Sequence, residues 1–308
     1  MAASRRCFAC RVASVPVRLS LFASPPWPRW VTGLLAACLL ATGWVVALRD
    51  IPPIHHIRWW FVALATLCVP VTLAANAAEF AVAAALGGRP VTRHEAVRVT
   101  LLGSAANALP LPGSTLVRVR ALQRGGADTR RAIELTAFVG LTWLATAAAA
   151  GGLLLAISGR PDVGLALLLP GLGILLGALW RLGRRGQGAT TALLSGLGAI
   201  EMLTVAADGS RLWLLGQALH LGLPFATAVT LTVAAAISSA VGIVPAGLGV
   251  REGLAAGIGA LLGVPAAVAF TATGASRLAE YAVLAPLAGV ILSRQPPSTA
   301  PVGQTGAP

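Results

Sequence analysis

Long apolar runs separated by short arginine-bearing loops fill most of this chain. Residues 30–48 and 59–86 form the first two runs, each near or above the roughly 20 residues a bilayer-spanning helix needs. Residues 132–158, 163–180 and 224–244 follow, and the last run covers 264–292. Two segments break the pattern. Residues 99–117 carry Pro110, Pro112 and Gly113 in the middle of a short apolar stretch. Residues 244–263 open on Pro245-Ala-Gly-Leu-Gly-Val-Arg-Glu252. Irregular backbone at membrane depth survives only where protein buries it or it lines a cavity, so both segments read as broken or re-entrant helices. Residues 189–223 hold two modest apolar stretches interrupted by Glu201, Asp208, Arg211 and His220. They read as an interfacial amphipathic helix followed by a short span. The expected fold is an all-α integral membrane protein of six to eight transmembrane helices. One polytopic domain is expected over 30–292, with disordered tails at 1–29 and 293–308.

Composition agrees with that class. The chain is 56% hydrophobic and 11% charged, with a mean hydropathy of +0.81, far from the soluble norm. The net charge of +13 comes entirely from arginine, since lysine is absent. In a soluble protein such a balance would suggest nucleic acid, but here the arginines sit in short connecting loops. That is the positive-inside pattern. Up to Arg185, sixteen arginines fall on one expected side and three (Arg49, Arg58, Arg160) on the other. The expectation is a multi-pass protein of the bacterial inner (cytoplasmic) membrane with its N-terminus in the cytoplasm. Anionic lipid headgroups, not nucleic acid, are the expected partners.

Charge arithmetic also shapes the first broken segment. Arg89, Arg93 and Arg98 precede it and Arg118, Arg120, Arg124, Arg130 and Arg131 follow, so both flanks favour the same side. A dip in and out satisfies this and a crossing does not. The cysteines add little: Cys7 and Cys10 lack the second pair of a zinc site, and Cys38 and Cys68 lie in apolar runs. Neither a metal nor a cofactor is expected, and no cleaved signal peptide.

Ionisable residues inside apolar runs are costly and default to a functional reading. Asn76 and Glu79 share one face of the second run, and Glu79 reads either as a cavity group or as an interfacial one. His55, His56 and His220 read as incidental loop or helix-end residues, with a proton relay as the sharper reading of His220. Paired broken segments in the two halves of a membrane chain point to a transport site. The plainer reading is that prolines kink packed helices and arginines snorkel to the interface.

The motif Pro245–Glu252 resembles the PGGLGxxE signature of the transmembrane region of lysylphosphatidylglycerol synthases, a region that recurs as stand-alone flippase-like proteins. Asn107-Ala-Leu-Pro-Leu-Pro-Gly113 followed by Arg118 is similar to an earlier element of that family, and Arg277 to an arginine before its last helix. Two departures stand out. Ala246 replaces a glycine, and no acidic residue lies just before Arg118. No soluble aminoacyl-transferase domain is expected here.

What the resemblance implies is a lipid translocase for an anionic, aminoacylated or polyprenyl-linked lipid. Asn107, Arg118, Arg251 and Arg277 would contact the headgroup. Glu252 and Glu280 would hold the arginines, with Glu280 placed to pair with Arg277 three residues earlier. Pro112, Gly113, Pro245, Gly247 and Gly249 would shape the turns. No nucleotide-binding loop is visible, so energy would come from a gradient or from downhill lipid flow. The alternative is a membrane enzyme, or a non-catalytic subunit assisting a glycosyl- or aminoacyl-transferase partner, with Glu79, Glu252 or His220 for acid–base chemistry. A lipid-binding scaffold is a third reading. No nucleophile motif or paired aspartates favour the enzyme.

Overall fold

The structure, a computed structural model, describes residues 56–106, 113–184, 191–241 and 249–293. Residues 30–48 and both expected tails up to 29 and from 294 lie outside the described residues, as do Asn107, Pro112, Pro245 and Gly247. The described residues form nine helices and no strand. These are α1 (Trp59–Leu86), α2 (Arg93–Ala106), α3 (Gly113–Arg124), α4 (Thr129–Ile157), α5 (Pro161–Arg184), α6 (Thr191–Ala218), α7 (Phe225–Val241), α8 (Val250–Leu261) and α9 (Ala266–Ser293).

Among the described residues four helices are long and apolar enough to cross a membrane: Trp59–Leu86, Thr129–Ile157, Pro161–Arg181 and Ala192–Ala218. At about 1.5 Å per residue, a 28-residue helix such as α1 reaches ~42 Å, ample for the ~30 Å hydrocarbon core. The fourth of these corrects the expectation for residues 189–223. Residues Thr191–Ala218 form one continuous helix, not an interfacial helix and a short span. Glu201, Asp208 and Arg211 face protein and are all buried, so they leave the helix apolar toward its outside and do not interrupt it.

The broken segments become helical hairpins. Helices α2 and α3 have 14 and 12 residues, too short to cross. A Cβ on Gly113 would lie 2.1 Å from the Ala106 carbonyl oxygen, so only glycine lets the two helices approach this closely. The open end of this hairpin is tied to the end of α1 and the start of α4. Arg89 donates to the Arg124 carbonyl at 3.2 Å, and Arg131 donates to the Leu86 carbonyl at 3.2 Å. The chain therefore enters and leaves at one end of the bundle, here the Arg89 end.

The second hairpin, α7 and α8, opens at the opposite end. Arg160, in the α4–α5 turn, donates to the carbonyls of Leu261 and Leu262 at the end of α8. Leu155, Ala226 and Leu262 pack together there, with Val163 against them. The two hairpins thus open at opposite ends of the bundle.

Burial follows the logic of a lipid solvent. Large apolar side chains such as Leu67, Leu153, Leu169 and Leu176 face out. Thr72, Thr142, Thr230, Thr232, Thr271 and Thr273 are buried. Several of these hydroxyls donate to a carbonyl one turn earlier, as Thr230 does to Ala226 and Thr273 to Ala269, each at 2.8 Å. These hydroxyls are thereby satisfied within their own helices, away from water.

Candidate functional site

The site grows out of the antiparallel pair α1 and α6. Thr72 of α1 donates to Asp208 of α6 at 3.2 Å. Moving seven residues on along α1 and seven back along α6 brings Glu79 opposite Glu201. The two levels are two helical turns, ~11 Å, apart. Each level gathers ionisable side chains from neighbouring elements.

At the Glu79 level, Arg118 of α3 contributes the cation. Its Nη1 lies 2.5 Å from Glu79 Oε1, and Glu79 is buried. The acidic partner that sequence proximity does not provide is thus supplied by α1, 39 residues upstream. Glu201 is fully buried nearby, and Thr142 of α4 donates to its Oε1 at 3.4 Å.

At the Asp208 level three arginines meet three carboxylates. Arg211 Nη2 lies 2.9 Å from Asp208 and 3.6 Å from Glu280 of α9. Arg211 Nε donates to Ser276 Oγ at 2.8 Å. Arg251 Nη1 of α8 lies 3.7 Å from Glu280. Arg277 Nη1 donates to Glu252 Oε1 at 2.8 Å, and the Gly249 N–H donates to Glu252 Oε2 at 2.9 Å. That last bond is the glycine-compatible half of a capping box. Gly249 holds φ at +79°, a left-handed conformation that glycine adopts without a Cβ clash.

Four of the expected site residues, Arg251, Glu252, Arg277 and Glu280, therefore come together, and Arg118 sits at the other level. Glu280 engages Arg211 and Arg251, and Arg277 engages Glu252, so these pairings run between helices. The inward stripe of α9 faces α6 and α8, which carry these partners. Asp208, Arg211 and Glu201 were not among the expected site residues. Their spacing, seven and three residues apart on one helical stripe, was the available signal. His220 lies at the bundle's end, its ring nitrogen 3.1 Å from the His56 carbonyl oxygen, remote along α6 from both levels.

Several N–H groups in these clusters have no hydrogen-bond partner although buried: Arg118 Nε, Arg211 Nη1 and Arg251 Nε. Both half-helices of the hairpins that start inside, α3 and α8, aim their N-termini at the bundle interior. Arg118 is the sixth residue of α3 and Arg251 the second of α8. A helix N-terminus carries partial positive charge and free N–H groups. The interior thus combines two dipole ends with guanidinium donors, a setting suited to an oxyanion. Among the described residues no group of His, Cys, Asp and Glu could hold a metal.

An all-helical bundle with lipid-facing apolar sides, an ionic interior and several membrane-length helices is a multi-pass membrane protein. The chain belongs to the family of the lysylphosphatidylglycerol synthase TM region, whose family model matches residues 29–288. A search of curated proteins finds no match to the chain.

Proposed function

We propose that this protein is a flippase-like lipid translocase of the cytoplasmic membrane, acting on a lipid with a phosphate-bearing anionic headgroup. One observation carries the reading. Half-helices α3 and α8 belong to hairpins that open at opposite ends, and each bears an arginine, Arg118 midway along α3 and Arg251 in the first turn of α8. Broken helices in the two halves of a membrane protein are the usual architecture of a substrate site near the bilayer midplane.

Arg118, Arg211, Arg251 and Arg277 would meet the phosphate. Their fork-shaped donors suit bidentate contact with oxyanions. Gly113 and Gly249, at the starts of α3 and α8, would shape the approach to that site. In the state described, the guanidinium groups are engaged by carboxylates. A buried charge without a counter-charge is costly, so the carboxylates hold the arginines until phosphate replaces them. The headgroup therefore exchanges partners with Glu79, Glu252 and Glu280. The arginine-rich Arg89 end, by the positive-inside rule, faces the cytoplasm, as does the N-terminus.

The test is lipid movement by purified protein in liposomes. Fluorescent phosphatidylglycerol and a neutral analogue are compared by dithionite quenching. Quenching beyond the outer-leaflet half for the anionic lipid, lost in Arg251→Ala, is the expected result. Quenching that stops at half for every lipid would turn the reading toward a subunit that assists a transferase.

A further inference from the structure

We infer that Glu201 is a proton-binding site coupled to the Glu79–Arg118 pair, so that lipid movement through this chain is accompanied by a proton. This deepens the translocase reading and rests on it for the movement itself, though not for the proton site.

Glu201 has no exposed surface. Among the described residues its Oε2 is buried without a hydrogen-bond partner, and its Oε1 receives only a long bond, 3.4 Å, from Thr142. Even that bond is shared, because the same Thr142 hydroxyl lies 2.8 Å from the Val139 carbonyl oxygen and has one hydrogen to give. A carboxylate with its charge intact accepts several hydrogen bonds or takes a cation when buried. Glu201 has neither to itself. The titratable groups that act on it are Glu79 from α1 and Arg118 from α3. Arg118 is already held by Glu79 at 2.5 Å. Two carboxyl groups thus share one guanidinium, and one negative charge is left over. A proton on Glu201 removes it.

A dedicated metal-cation site fits less well. Hard cations take about six or more oxygen ligands, and the described oxygens at Glu201 are far fewer. Ionisable side chains inside membrane segments are recurrent proton carriers.

Charge balance then gives the coupling. With Arg118 on Glu79 and a proton on Glu201, the cluster is neutral. A phosphodiester that takes Arg118 adds one negative charge and leaves Glu79 without its cation. Neutrality returns when Glu79 takes a second proton. One proton therefore enters with each phosphodiester and leaves with it. Glu201, lying opposite Glu79, can pass its proton across: Glu201 carboxylic acid and Glu79 carboxylate become Glu201 carboxylate and Glu79 carboxylic acid, and Glu201 is then refilled.

The experiment has two arms. Infrared spectra of purified protein at neutral pH, in light and heavy water, read the proton directly. A carboxylic-acid C=O band that shifts in heavy water is expected in the wild type and is expected to vanish in Glu201→Gln. Thr142→Val, which removes the one hydrogen bond, should move the band to higher wavenumber, and it serves as the reporter if Glu201→Gln fails to fold. A spectrum unchanged by both substitutions overturns the proton site. In the second arm, liposomes carrying fluorescent phosphatidylglycerol receive an imposed pH gradient. Acid on the side of lipid entry should raise the flip rate several-fold in the wild type and leave Glu201→Gln unresponsive. An equal response in both overturns the coupling. Absence of any flip alongside an intact infrared band would instead strike the translocase reading and leave the proton site standing.

Discussion

Glu252 binds Arg277 through one carboxylate oxygen at 2.8 Å and the Gly249 N–H through the other at 2.9 Å. One side chain thereby ties α9 to the first turn of α8 and fixes how the second hairpin's inner half-helix starts. Both members of the ion pair are buried. Truncating one member of such a pair leaves the other charge uncompensated, at ~3–5 kcal/mol. Glu252→Ala is therefore expected to lower the thermal unfolding midpoint in detergent markedly. Adding Arg277→Ala should cost less than the two single losses summed.

Glu79 and Arg118 should show the same coupling between the first hairpin and α1. In a double-mutant cycle of Glu79→Ala and Arg118→Ala, the interaction energy is expected at about 0.5–3 kcal/mol. Chemical unfolding in a mild detergent reads it. Additive losses would show that Arg118 does not rely on the carboxylate of α1.

The α2–α3 hairpin can be trapped covalently. A Cβ on Gly103 would lie 3.7 Å from Ser114 Cβ, within the ~3.5–4.5 Å range of disulfides. In a background lacking the four native cysteines, Gly103→Cys with Ser114→Cys is expected to oxidise readily. Mass spectrometry of the linked peptides checks it. Two unlinked thiols would mean the two helices do not fold back on each other.

Side-specific thiol labelling separates the two hairpins. Arg160 reaches the carbonyls of Leu261 and Leu262, and Leu261 is exposed. Cysteines at Arg160 and Leu261 should label from one side of the membrane, and a cysteine at Arg124 from the other. Labelling of Leu261 from the Arg124 side would make α8 a crossing helix and remove the opposed-hairpin architecture.

Glycine at 249 is expected to resist substitution. Its φ of +79° is strained for any side chain, at ~1–2 kcal/mol. Gly249→Ala should therefore destabilise the protein more than Gly253→Ala, a position on the same helix where an added Cβ meets nothing. Unfolding midpoints of the two variants make the comparison.

Much of the helical plan was legible from apolar length. Residues 59–86 returned as α1 unchanged, 264–292 as α9 within two residues, and the expected break at 99–117 as two short helices. The misreading of 189–223 has a physical cause. Acidic and basic residues lower local hydropathy wherever they point, so Glu201, Asp208 and Arg211 looked like interruptions. Their common stripe on α6 hides them from lipid, and hydropathy cannot register the direction in which a side chain faces.

The sequence by itself determined that this is a helical membrane protein, where most of its long helices lie, and that two of its segments break. Those properties depend on the number of consecutive apolar residues and on the local chemistry of Pro and Gly, which neighbours in the chain supply. Tertiary structure alone decided which charges meet across helices: Glu79 with Arg118, Arg277 with Glu252, and Arg211 with Glu280. These partners come from different helices, and their meeting depends on helix rotation and register. The antiparallel packing of α1 on α6 and the inward rotation of α9 set both, and no local pattern encodes either.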